Sequence, residues 1–61
     1  ANGYWIKEKG FREIRARLGE ARTAAPARRA ALDALEADLT RLYYLGRFDA
    51  YTARIAEVPG R

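Results

Sequence analysis

Residues 30–45 read AALDALEADLTRLYYL. Leu32, Leu35, Leu39 and Leu42 recur at intervals of 3, 4 and 3, which lines apolar side chains along one seam of a helix. Pro26 upstream and Gly46 downstream supply its start and stop. Proline suits the first helical position, where its missing N–H costs nothing, and glycine enters the left-handed conformation that ends a helix. The spacing therefore predicts a helix over 26–45, roughly 30 Å long at 1.5 Å per residue. Ala27, Ala30, Ala34 and Ala37 make a second 3-4-3 row, roughly 140° from the leucines at 100° per residue. The apolar arc from Leu32 round to Ala37 spans roughly 220°, wider than a single core-facing stripe. This helix is thus expected to be contacted on two sides, with Arg29, Asp33, Glu36 and Thr40 on its solvent face.

The flanking segments read as its packing partners. Tyr4, Phe11, Ile14, Leu18 and Ala21 share one seam of a helix over 4–21. Glu8–Arg12 and Glu13–Arg17 are i,i+4 pairs in the favourable order. Gly10 interrupts that helix and suggests a kink or the close approach of another backbone. Ala25 precedes a proline and is pushed out of the α region, which places the connection at 22–25. Downstream, Phe48, Tyr51, Ile55 and Val58 share a seam, Asp49 is suited to cap it, and Pro59-Gly60 closes it. The third helix is expected over 49–58 and is too short to persist without packing. The alternative is one rod continuing through Gly46, whose second half would turn its seam nearly opposite the leucines. The expected fold is all-α: an antiparallel helical hairpin with a short third helix, a small three-helix bundle in one domain spanning 1–61.

Composition narrows the chemistry. The 61 residues contain no His, Cys, Met, Ser or Gln. Nucleophile–base pairs rely on Ser or Cys beside His, and transition-metal sites draw mostly on His and Cys, so the reading is of a non-enzyme without metal or cofactor. Without cysteine there is no disulfide, and a chain this short buries only about 60% of its unfolded surface. A core of that size leans on a partner. The absence of an eighteen-residue apolar run and of a secretory start leads to the expectation of a cytoplasmic protein with no membrane span. Much Arg and Ala with little Lys is a bacterial or phage-like composition.

Charge is unevenly distributed. Residues 1–29 carry eight cationic side chains against three carboxylates, net +5, and residues 30–61 carry four against five, net −1. That asymmetry fits an anionic partner or an electrostatic match between the two halves. Lys9, Arg12, Arg15 and Arg22 are the candidates for contacting phosphates, although they scatter around the helix among Glu8, Glu13 and Glu20.

The helix–glycine–helix stretch from Leu35 to Val58 invites comparison with a helix-turn-helix. Its second helix offers Arg54 and Tyr51 to a groove but also Asp49 and Glu57, which repel a phosphate backbone. It resembles short oligomerisation modules such as SHOCT domains, without the acidic stretch those carry after the turn, and no residue role is transferred. Tyr43, Tyr44, Phe48 and Tyr51, with Arg41 and Arg47 beside them, have the Tyr/Arg character of an interface, or else cap the end of a small core. Tyr4-Trp5-Ile6-Lys7 offers a Trp to close the bundle or insert into a partner. Trp5, Ala30, Ala34, Arg41, Tyr44, Arg47 and Tyr51 are the candidate partner-binding residues. The function expected is a non-enzymatic protein–protein interaction or assembly module, such as a small subunit of a larger complex, with another chain or a second copy as partner. The alternative is a small basic nucleic-acid-binding module acting through the N-terminal helix.

Overall fold

A computed structural model describes the backbone of residues 2–59 and the side chains of residues 8–59. Three α-helices, α1 (Asn2–Ala24), α2 (Arg29–Tyr44) and α3 (Phe48–Ile55), follow one another, with a 3-10 turn at Pro26–Arg28 between the first two. The helices form a small all-α bundle measuring 39 × 16 × 15 Å. Both α1 and α3 pack on α2.

The element boundaries show what local chemistry decides. Helix α1 runs past the expected 4–21 at both ends. At its C-terminal end the Ala25 N–H still reaches the Ala21 carbonyl at 2.8 Å. Pro26 then forces Ala25 to φ −136°, ψ 74° and the helix stops. Alanine offers no side-chain acceptor to hold the N–H groups of the next turn, which tightens into 3-10 geometry. Regular α structure therefore begins at Arg29, three residues after the expected start.

Gly46 behaves as the sequence predicts. Its φ is +73°, the only positive value among the described residues. Its N–H reaches the Tyr43 carbonyl at 3.1 Å, and the Arg47 N–H reaches the Leu42 carbonyl at 2.9 Å. This paired pattern is a Schellman motif, which satisfies the carbonyls orphaned at the end of α2. The chain breaks at Gly46, and the continuous rod is excluded. The turn is so tight that Arg47 takes the cap position of α3, without a side-chain bond. Asp49, expected as the cap, instead lies inside the first turn of α3, where a carboxylate still favours the positive helix end. Helix α3 ends at Ile55, three residues short of the expected 58. The bonds Glu57 N–H to Arg54 and Val58 N–H to Ile55, both 2.9 Å, then curl Val58 back into the core.

The core joins Phe11, Ile14 and Leu18 of α1 to Leu32, Leu35, Leu39 and Tyr43 of α2, with Tyr51 and Val58 closing it. Leu18, Leu32 and Leu39 are almost wholly enclosed. Each such side chain contributes about 1.5–3 kcal/mol by leaving water. Leu42, Ala21, Phe48 and Ile55 are half-buried around this centre. The Phe11 and Tyr43 rings stack at 4.1 Å with their planes 3° apart.

Gly10 does not mark a close approach, because a Cβ built there would meet nothing within 4 Å. The Glu13–Arg17 pair also fails to form. The Arg17 guanidinium turns to the C-terminal segment and donates to the carbonyls of Val58 and Pro59, both at 3.4 Å. No helix among the described residues is long and apolar enough to cross a membrane.

Candidate interaction surface

The charge asymmetry of the sequence resolves into a seam between α1 and α2. Arg22 Nε donates to Asp33 Oδ1 at 2.6 Å, and its Nη2 donates to Glu36. Arg15 Nε reaches the other Glu36 oxygen at 3.2 Å. Asp33 and Glu36, expected on the solvent face, thus serve as the acidic side of a helix–helix contact, and Glu36 is half-buried there. Exposed pairs are individually worth about 0–1 kcal/mol. Their effect here is to favour the register of α1 on α2, since a slip by one turn would leave Arg22 facing only one of the two carboxylates.

The same pairing pattern takes in four further arginines. Arg12 meets Glu8 at 3.2 Å, as the i,i+4 spacing predicts. Arg29 approaches Asp33 at 4.0 Å. On the other flank of α2, Asp38 accepts from Arg54 at 2.9 Å and from Arg41 at 3.4 Å. Arg54 also binds Glu57 at 2.6 Å, and that hydrogen bond raises the guanidinium further above its ordinary range. Three of the four residues suited to phosphate contact, Arg12, Arg15 and Arg22, therefore already hold carboxylates. Lys9 is exposed.

The side of α2 turned away from the core is largely apolar. Ala30, Ala34 and Ala37 are all exposed, as is Ala27 in the preceding turn. The row continues into Arg41, Tyr44 and Leu45, and the last two are 74% and 62% exposed. The Tyr44 ring meets the rings of Tyr43 and Phe11 edge-on at 5.3 and 5.8 Å. Ala37, Arg41 and Tyr44 border a shallow depression whose other wall includes Arg22 and Asp33. Arg47, at the turn after Leu45, is exposed.

The structure thus brings Ala30, Ala34, Arg41 and Tyr44 onto one face of α2 with Arg47 at its end. It removes Tyr51 from that set. Tyr51 is only 7% exposed and packs near Phe11 and Tyr43, because α3 folds back with the seam of Tyr51 inward. Burial pushes its phenol above the usual value, with a smaller contribution from the neighbouring Tyr43. The Trp5 side chain lies outside the described residues. Leu45 was not singled out by spacing, since it follows the leucine seam in sequence yet lies off it by register. Among the described residues, no group of three His, Cys, Asp or Glu side chains is placed to hold a metal ion. Comparison with protein-family models, with curated proteins and with solved structures finds no match to this chain.

Proposed function

We propose that this chain is a non-enzymatic helical assembly module that offers the outward face of α2 to another copy of itself or to another protein chain. The observation that carries the reading is the exposed row of Ala30, Ala34, Ala37, Tyr44 and Leu45, with Arg41 among them. Small side chains let a second helix approach closely, and Tyr44 at the end supplies an exposed ring in edge contact with Tyr43 and Phe11. A tyrosine has only two side-chain torsions to order and so loses little conformational freedom on binding. The arginines support this reading over nucleic-acid binding, because Arg12, Arg15 and Arg22 would have to release carboxylates before neutralising phosphates.

The test is sedimentation equilibrium of the chain and of Ala34→Glu, with thermal melts at several concentrations. Ala34 is exposed, so the substitution leaves the core intact. The parent should associate reversibly and melt higher as concentration rises, while the variant stays monomeric with the same helical signal. A parent that remains monomeric up to millimolar concentration, with a melting point that Ala34→Glu leaves unchanged, overturns the reading. Salt-dependent binding of nonspecific duplex DNA at physiological ionic strength would move the function to the nucleic-acid alternative.

A further inference from the structure

Helices α1 and α3 each pack on α2 and leave a groove between them. It encloses about 260 Å³ and is lined by Gly10, Ile14, Tyr43, Phe48, Tyr51 and Ile55, with Glu13 and Thr52 also on its wall. This is a different face from the alanine row, since Tyr43 and Ala34 stand roughly 180° apart on α2 at 100° per residue.

Three features of the groove call for an occupant. Gly10 sits in the interior of α1, where glycine costs about 1 kcal/mol relative to alanine. No contact requires glycine there, because an added Cβ would stand in open space. Its lack of a side chain keeps the groove open. Tyr43, Phe48 and Tyr51 give the groove an apolar, aromatic wall suited to another ring. Glu13, on the same wall, is exposed and has no cationic partner among the described residues, because Arg17 is engaged by the carbonyls of Val58 and Pro59. The groove is smaller than the roughly 300–1,000 Å³ typical of small-molecule sites and suits a single large side chain.

We propose that this groove is an anchor pocket for a partner protein, taking one aromatic side chain of a segment that carries a basic residue beside it. The ring fills the space over Gly10 and Ile14, and the neighbouring cation meets Glu13. A protein using both faces would join two neighbours, one on α2 and one between α1 and α3. The groove stands whether or not α2 associates, and it is read at its own backbone amides.

The experiment is an amide chemical-shift titration of the full chain with acetyl-Lys-Phe-Lys-amide, acetyl-Glu-Phe-Glu-amide and acetyl-Lys-Ala-Lys-amide. The first should shift Gly10, Glu13, Thr52 and Ile55 at millimolar concentration. The acidic peptide should bind roughly two- to fivefold more weakly, the scale of one exposed ion pair, and the alanine peptide should leave the groove unshifted. Glu13→Gln should erase the preference for the basic peptide over the acidic one. Gly10→Leu, which begins in open space and fills the groove, should abolish the shifts while a thermal melt shows the fold retained. Shifts that are absent, spread over the whole surface, equal for the three peptides or unchanged in Gly10→Leu overturn the proposal. Equal shifts from free phenethylammonium would make the groove a site for small organic cations and overturn the protein-anchor assignment.

Discussion

Replacing Tyr51 by Phe should stabilise the chain. The ring is enclosed, 6.2 Å from Phe11 and 5.9 Å from Tyr43 between centroids, and all of that packing survives the change. What disappears is a hydroxyl that is buried without a hydrogen-bond partner. Leaving such a group unsatisfied costs about 1–3 kcal/mol. Removing it should recover about 1 kcal/mol, since part of that cost returns as a small void. For a domain of this size 1 kcal/mol shifts the melting point by about 4–8 °C. The assay is thermal unfolding followed by circular dichroism at pH 7 and then between pH 8 and 11. Burial holds the Tyr51 phenol above its ordinary value of 10.0, so the folded chain keeps that proton to higher pH than the unfolded chain. The resulting stability is complete below about pH 10 and is lost as pH rises through the folded value. The advantage of the variant should therefore widen above pH 10. If Tyr51→Phe is destabilised by 1 kcal/mol or more at pH 7, on the order of a lost hydrogen bond, the hydroxyl has a partner and the reasoning fails.

Two further substitutions probe the frame. Leu39→Ala empties a position that is 1% exposed and should cost about 2–5 kcal/mol, enough to leave a chain of this size largely unfolded in a urea or thermal titration. A variant that melts like the parent would displace the leucine seam from the centre of the core. Gly46→Ala should lower stability by about 1 kcal/mol, because φ +73° is strained for any side chain even though space around it is open. A gain in stability there would show that the break between α2 and α3 is not held by this turn.

The seams were legible because a seam depends only on spacing within one helix. Leu32, Leu35 and Leu39 are buried on α2, and Phe11, Ile14 and Leu18 meet them from α1. Gly46 was legible for a similar reason, since a positive φ is a local demand. What spacing does not contain is the element that arrives from far along the chain. Glu13 and Arg17 are well placed for each other on α1, yet Arg17 finds carbonyls 41 and 42 residues away. Asp33 and Glu36 look like a solvent face on α2 alone and become partners of Arg22 and Arg15 once α1 lies alongside. The signal for that pairing was present in the charge difference between the two halves, but not in any motif. Tyr51 looked like an interface residue because aromatics serve cores and interfaces equally well. The path of α3 decides between them.

The connection between α1 and α2 has a kinetic consequence. Only Ala25 separates the end of α1 from the 3-10 turn, and Gly46 and Arg47 with the cap at Leu45 are all that separate α2 from α3. Closing loops this short costs little chain entropy, so most native contacts can form between neighbours in sequence before any distant pairing is needed. For 61 residues the empirical speed limit lies at roughly 0.6 µs, and a helical hairpin of this kind should fold within the microsecond-to-millisecond range. A marginal bundle that reforms on that timescale can lose its structure when a partner departs and recover it before the next encounter. Its residence in a complex would then be governed by how long the contact lasts, and not by how long the chain takes to become ready for it.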